Sequence, residues 1–335
     1  MVFLSEELRQ HLRSPAEELV FHRGDPDDPR LGELVLRSLE GLERRPDVVL
    51  LGIPQDIGVR RNRGRPGAAE APEAIRRLFY RLTPDTGADV GLDQLTIVDL
   101  GDLVAEGKSL EELHALQQRC VAELLDQGLC VIVLGGGHDI AYPNGSALAR
   151  RGPCGILSFD AHPDVRPYPD GAHSGSAFRQ LLEELHFPAH RLAVIGLQPF
   201  AVARAHREYL LRHGTHVCTL PELRARGMAA TLPELFARIS ETGHLPVYAS
   251  FDLDALPAAI APGVSAPSPT GIPAEELLWA AYFLGTQPSV CLLDIAEVNP
   301  RYDCDQRTAR LAAWLLASFL SGLLQRAGAC TSEKR

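Results

Sequence analysis

The chain has 335 residues, of which 45% are hydrophobic and 23% charged, a composition typical of a globular protein rather than a disordered or fibrous one. Its formal net charge of -10 argues against nucleic-acid binding, and no apolar stretch reaches the roughly 18 residues that a membrane span requires. Seven cysteines without CxxC pairs predict free thiols in a reducing compartment, so we expect a cytoplasmic location.

Residues 1–45 form a polar lead-in, in which two weak helices are predicted over 6–20 and 31–42. Strand-like apolar segments then alternate with helical patterns through residues 46–330, which we assign to one domain. Because strands that alternate with helices pair in parallel, the sequence predicts a single three-layer α/β/α domain with a mostly parallel, roughly eight-stranded sheet. The predicted strands cover residues 48–53, 95–100, 130–134, 155–159, 192–197, 215–220, 246–251 and 290–295.

Histidines and acids follow four of these predicted strands, where such sheets bind ligands. The segments are GGGHD at 135–139, DAHPD at 160–164, DLD at 252–254 and EVNP at 297–300. Acids at the end of a buried strand need a partner, and a metal ion would supply one. A capping loop that happens to contain a histidine is the alternative for the second segment.

The residue types in these segments favour divalent metal ions. Carboxylates and imidazoles without cysteine suit hard to borderline ions, and argue against a structural zinc site. Their number exceeds what one ion needs, which suggests two ions with bridging acids. Paired ions activate water, so the predicted chemistry is hydrolysis. A phosphate-binding loop at Gly135–Gly137 is the rival interpretation, but the lysine of that motif is missing.

The motifs GGGHD, SFDAHPD, SFDLD and LDIAEVNP resemble those of the ureohydrolase superfamily of arginase and agmatinase, over about residues 52–316. Within it, three further regions resemble the formimidoylglutamases: GVRRNRGRPGAA at 58–69, LPAA with APGVSAP at 256–267, and NPRYD with RTARLA at 299–312. The resemblance implies an arginase-like fold and Mn-dependent hydrolysis of N-formimidoyl-L-glutamate to L-glutamate and formamide, a step of histidine degradation. Another ureohydrolase, such as an agmatinase or guanidinobutyrase, or a non-catalytic superfamily member, is the alternative.

The resemblance also implies a ligand set for two Mn²⁺ ions per subunit. One ion would be held by His138, Asp160, Asp164 and Asp252. The other would be held by Asp160, His162, Asp252 and Asp254, so that Asp160 and Asp252 bridge the pair.

Two acids are given catalytic roles by the same resemblance. Asp164 would accept a hydrogen bond from the bridging hydroxide that attacks the amidine carbon, and pass its proton to the leaving nitrogen. Glu297 would orient the cationic amidine by paired hydrogen bonds, with a helix-capping acid as the alternative.

One departure from arginase concerns the proton shuttle. Arginases and agmatinases carry His-Gly downstream of the DAH motif, whereas this chain has Ser174-Gly175, with His173 one place earlier. Formimidoylglutamases usually carry serine there, which favours them over the guanidino enzymes. His173 is nevertheless a candidate catalytic residue, and Ser174 a candidate substrate contact.

Substrate choice is predicted from charge. Formimidoylglutamate carries two carboxylates beside its amidine, so its pocket needs arginines near the metal ions. Arg166, two residues after Asp164, can donate two hydrogen bonds to one carboxylate. Three more candidates, Arg60, Arg61 and Arg63, follow the first predicted strand. A solvated surface loop is the alternative for these three. The predicted partner is thus a small dicarboxylate amidine, with no nucleic acid and no membrane, and the family assembles as trimers or hexamers.

Overall fold

The computed structural model describes residues 4–42 and 44–332, with side chains as far as residue 326, and contains one nine-stranded sheet. The strands are β1 Leu12–Arg13, β2 Val48–Gly52, β3 Ile97–Leu103, β4 Cys130–Leu134, β5 Gly155–Phe159, β6 Leu192–Leu197, β7 His216–Thr219, β8 Val247–Asp252 and β9 Val290–Ala296. Their order in the sheet is β1-β3-β2-β4-β9-β8-β5-β6-β7, and every neighbouring pair is parallel except β1 and β3.

Helices cover both faces of the sheet, which confirms the predicted three-layer α/β fold. One core contains the helical residues Leu232, Leu277 and Phe319, and the other contains the helical residues Val121 and Leu181. The helices are α1 Glu6–Arg9, α2 Leu31–Leu34, α3 Ile57–Arg61, α4 Ala71–Phe79, α5 Leu110–Asp126, α6 Ala141–Ala149, α7 Ala177–Glu184, α8 Arg204–His213, α9 Leu220–Arg226, α10 Met228–Ile239, α11 Ala274–Thr286 and α12 Arg307–Ser332. None of those described could span a membrane, being too short or too polar.

The lead-in differs from its prediction. The helix expected over 6–20 stops at Arg9, and Leu12 instead pairs with Leu103 as an antiparallel ninth strand. Pro15 lacks an N–H and restricts the residue before it, which prevents a continuous helix. The helix expected over 31–42 ends at Leu34, because Leu36 makes a bridge with Val98 of β3.

The lead-in packs on the main sheet. Leu4, Leu8, Leu19 and Leu31 are buried in the two cores. Residues 1–3 and 43 of this segment lie outside the described residues. The domain boundary at residues 45 and 46 stays a prediction.

Candidate metal centre

The carboxyl ends of four strands lie together, because β4, β9, β8 and β5 are neighbours in the sheet. The chain reaches His138 from β4 through Gly135 and Gly136, which both have left-handed backbone angles (φ 63° and 97°). A Cβ on Gly136 would lie 2.8 Å from the carbonyl oxygen of Ile53. Glycine is therefore required for the turn that brings His138 over the strand end.

Three carboxylates surround one nitrogen of His138. His138 Nδ1 lies 3.0 Å from Asp160 Oδ2 and 2.8 Å from Asp164 Oδ2. Its distance to Asp252 Oδ2 is 3.2 Å. All four residues are buried, and their candidate ligand atoms lie within 4.8 Å of one another. One cation could therefore contact the whole first group.

Asp160 also belongs to a second group, with His162 and Asp254. His162 Nδ1 lies 3.5 Å from Asp160 Oδ1 and 3.0 Å from Asp254 Oδ2. Asp160 thus presents one oxygen to each histidine, the arrangement expected of a bridging ligand. Asp252 belongs only to the first group, so its bridging role stays a prediction.

The acids of this centre repel one another. Burial, followed by the charges of Asp164 and Asp254, raises the pKa of Asp160 to about 6. Burial also raises the pKa of Asp252 well above its ordinary value, and neighbouring carboxylates add to the effect. Positive charge between the carboxylates is therefore needed to stabilise their ionised forms.

Without a metal ion, the two histidines supply that positive charge. Asp254 raises the pKa of His162 to about 12. Burial alone would lower the pKa of His138, but the three carboxylates of the first group raise it well above its ordinary value. A bound divalent ion would replace these protons, because imidazole must be deprotonated to act as a ligand.

The donor atoms fit a pair of divalent ions. Among the described residues, His138 Nδ1, Asp160 Oδ2 and Asp254 Oδ1 are buried and make no hydrogen bond of favourable geometry. Such atoms are costly to bury unless something binds them. Carboxylate and imidazole ligands without thiolates suit Mn²⁺ and similar ions.

Glu297 lies next to the first group, just after β9. Its Oε1 accepts a 2.8 Å hydrogen bond from the backbone N–H of His138, which agrees with the capping alternative. Its Oε2 is buried and makes no hydrogen bond of favourable geometry within residues 4–42 and 44–332. Burial raises the pKa of this carboxyl to about 8. A cationic group at Oε2 would stabilise the carboxylate, so the second oxygen can serve the predicted contact with an amidinium.

Of the predicted substrate-binding arginines, Arg166 is exposed and forms no ion pair with any described residue. Its Nη1 donates a 3.1 Å hydrogen bond to the neutral side chain of Asn62. Asn62 Nδ2 donates in turn to Ser174 Oγ at 3.0 Å. Arg166 and Ser174 are therefore brought together, as expected for residues of one pocket.

The loop arginines are placed differently. Arg60 donates to Asp56 at 2.8 Å, and Arg61 is paired with both oxygens of Glu111 and with the carbonyl of Ala172. These acids neutralise both guanidinium groups, which weakens the case for a carboxylate contact. Arg63 is exposed and has no side-chain hydrogen bond or ion pair to the part of the chain described here, so its predicted role rests on sequence alone.

His173 is held by its own loop. Its Nδ1 accepts the N–H of Gly175 at 3.2 Å, which caps a short 3-10 turn. Its Nε2 lies 3.2 Å from the carbonyl oxygen of Pro167, to which it donates if Nδ1 is the acceptor. Both ring nitrogens are thus occupied, and the geometry gives the predicted proton shuttle no free position.

Comparison with known proteins decides the family. A model of the arginase family matches residues 46–322. The chain belongs to the arginase family. This arginase-family protein is 35% identical over 312 residues to the formimidoylglutamase of Aeromonas salmonicida, covering 88% of this chain and 94% of that one.

Solved structures agree with this family assignment. The crystal structure of Trypanosoma cruzi formiminoglutamase with Mn²⁺₂ matches with a TM-score of 0.82 and 35% identity, over 90% of this chain and 100% of that one. Formimidoylglutamase from Bacillus subtilis matches with a TM-score of 0.83 and 27% identity, over 89% and 93% of the two chains. The sequence-based resemblance to formimidoylglutamases is confirmed.

Behind His138 in this arginase-family protein lies a group of buried polar residues that the sequence analysis missed. His138 Nε2 lies 2.9 Å from Ser250 Oγ, whose hydroxyl donates to Asp294 Oδ1 at 2.7 Å. Ser250 Oγ is then the acceptor for the Nε2 proton of His138. When a metal ion replaces the Nδ1 proton, this hydrogen bond keeps the remaining proton on Nε2 and leaves the Nδ1 lone pair to the ion. Asp294 is fixed by hydrogen bonds from Tyr248 and Asn144.

We expect Ser250→Ala to lower the metal affinity of this arginase-family protein about 10- to 100-fold, because His138 loses the acceptor that fixes its tautomer. Ser158→Ala is the matched control: Ser158 pairs with Ser250 in register, is equally buried, and its hydroxyl has no partner among the described residues. Metal titration of both variants checks this. Equal affinities in the two variants would show that Ser250 does not orient His138.

Ser250 and Asp294 could have been recognised from the sequence, because side chains alternate between the two faces of a strand. Ser250 precedes Asp252 by two residues in β8, so both side chains point to one face of the sheet. Asp294 is an acid within the apolar strand β9, a position that demands a buried partner. Asn62, by contrast, lies in a charged loop and gives no such signal.

Proposed function

We propose that this protein is a Mn²⁺-dependent formimidoylglutamase, which hydrolyses N-formimidoyl-L-glutamate to L-glutamate and formamide in histidine degradation. The main support from the structure is that all six predicted ligands lie in two overlapping groups that share Asp160. The named relatives, and the T. cruzi structure with Mn²⁺₂, support manganese and this substrate.

Each protein group has a role in this proposal. When bound, two Mn²⁺ ions would supply an activated water and polarise the amidine. His138, Asp160, Asp164 and Asp252 would hold one ion, and Asp160, His162, Asp252 and Asp254 the other.

Asp164 would carry the proton that reaches the leaving nitrogen. Its backbone φ of 44° is fixed by the loop, since its carbonyl oxygen accepts the N–H groups of Phe178 and Arg179 at 3.1 and 3.3 Å. Glu297 would accept the amidinium N–H through Oε2, because Oε1 is already bonded to His138. Arg166 would bind a substrate carboxylate, since no acid of the described chain pairs with it.

The cellular setting is also part of the proposal. Six cysteines in the described residues are free thiols, which supports a reducing, cytoplasmic compartment. Assembly as a trimer or hexamer is proposed from the family resemblance alone.

A substrate panel tests the function. Purified protein loaded with Mn²⁺ should release glutamate and formamide from formimidoylglutamate, with a kcat/KM at least about 100-fold above that for agmatine, guanidinobutyrate or arginine. Agmatine carries no carboxylate and the other two carry only one, so none of them offers the two carboxylates for which the Arg166 pocket is proposed. Urea formation from a guanidino substrate without glutamate release would assign another ureohydrolase activity. Far fewer than two bound Mn²⁺ ions per chain after reconstitution, with no turnover of any substrate, would favour a non-catalytic member.

A further inference from the structure

Asn62 connects the two candidate substrate contacts. It follows α3 directly, and its own N–H bonds to the carbonyl of Gly58 at 3.0 Å, so its side chain starts from a fixed backbone. Oδ1 accepts a hydrogen bond from Arg166, and Nδ2 donates one to Ser174. No assignment of orientation other than this one satisfies both contacts, because a guanidinium cannot accept a hydrogen bond.

Close packing holds the three side chains in place. A Cβ on Gly175 would lie 2.9 Å from Asn62 Nδ2 and 3.0 Å from Arg166 Cδ, so both side chains rest against one peptide. The N–H of Arg166 donates to the carbonyl of Gly175 at 2.8 Å. Arg61 ties α3 to the same loop through the carbonyl of Ala172 at 3.0 Å. The arrangement is therefore formed before any ligand arrives.

The hydrogen bonds of Asn62 leave N–H groups of Arg166 and the hydroxyl hydrogen of Ser174 free to bind a ligand. Asn62 is neutral, so it holds Arg166 without cancelling its charge, unlike the acids that pair with Arg60 and Arg61. Ser174 Oγ accepts from Asn62, and its own hydrogen has no acceptor among the described residues. A guanidinium and a hydroxyl that both need an acceptor match the two oxygens of a carboxylate.

We propose that Asn62 is the specificity-determining residue of the site: it positions Arg166 and Ser174 as a donor pair for the substrate carboxylate. The inference rests on the proposed function and adds the residue that selects for the carboxylate. The neutrality of the amide is essential to it. An aspartate of the same shape would pair with Arg166 and accept the hydroxyl of Ser174, consuming both donors.

The Asn62→Asp variant keeps the shape of the side chain but changes its charge and hydrogen bonding, so it tests whether Asn62 leaves Arg166 and Ser174 free to bind the carboxylate. In the full-length protein loaded with Mn²⁺, we expect it to raise KM for formimidoylglutamate about 10- to 100-fold while kcat changes less than about threefold, the pattern for lost ground-state binding. Asn62→Ala should raise KM less, because Arg166 stays unpaired though less well held. Gln94→Ala, which removes an exposed amide elsewhere, should match the wild type.

Calorimetric titration with L-glutamate gives a readout that does not need turnover. The Kd for glutamate should rise in Asn62→Asp by the same factor as KM. An unchanged Kd and KM in that variant, a fall of kcat alone, or no glutamate binding by the wild type would overturn the inference. Absence of formimidoylglutamate turnover by the wild type would refute only the proposed function, since the glutamate titrations would still decide the role of Asn62.

Discussion

Replacing Asp160 by asparagine should lower kcat/KM by at least about 10³-fold and reduce bound manganese from about two ions to fewer than one per chain. Asp160 is the residue that the two ligand groups share, with one oxygen toward each histidine. An amide oxygen can still accept the 2.6 Å bond from the N–H of His162, so the local turn should survive. Both ions, however, lose a charged ligand.

The stability of the metal-free variant separates ligand loss from misfolding. Burial and neighbouring charges disfavour the ionised Asp160 in the metal-free protein, so its neutral replacement should unfold at the same or a higher temperature. Added Mn²⁺ should stabilise the wild type but not the variant. Asp170→Asn, an exposed acid six residues beyond Asp164, is the control and should bind both ions. Two tightly bound ions in Asp160→Asn would contradict the shared-ligand arrangement.

Glu297→Gln should lower kcat/KM about 10²- to 10³-fold without loss of manganese. The glutamine oxygen can keep the hydrogen bond from the His138 N–H, so the turn that carries His138 stays in place. The new NH₂ group would then occupy the position of Oε2 and face the cationic amidine. The amidine would then face a hydrogen-bond donor where the wild type has an acceptor, and a neutral group where the wild type has a negative charge.

Metal analysis and steady-state kinetics of the same preparation check this result. Glu275→Gln, an exposed glutamate on α11, provides the control and should behave as the wild type. Loss of manganese together with activity would mean that Glu297 acts chiefly by holding the His138 turn. Wild-type kinetics with both ions bound would remove it from the amidine site.

Features with a strong local signal were predictable from the sequence. The buried strands β4, β5 and β6 have the predicted limits. A strand inside a parallel sheet is apolar along its whole buried length, so the apolar run in the sequence marks both ends of the strand. The acids and histidines that follow such runs stand out for the same reason, and Asp160 and His162 are examples. The strand β1, only two residues long, has no apolar run to reveal it.

Contacts between distant segments were not predictable in this way. Arg61 was expected to face the substrate, but its partner Glu111 lies 50 residues away on α5. Asn62 contacts Ser174 across 112 residues, and nothing in either local sequence indicates the pairing. Such contacts depend on how helices and loops pack, which local patterns do not encode.

The chain order of the ligand loops has a consequence for biosynthesis. The ligand group of His138 is incomplete until Asp252 has been made, and β9 lies between β4 and β8, so the sheet cannot close until residues 290–296 have left the ribosome. Nascent chains therefore expose several acids that have no complete cage for an ion. We therefore expect both ions to bind only after β9 has joined the sheet, so that they stabilise the finished fold rather than nucleate it.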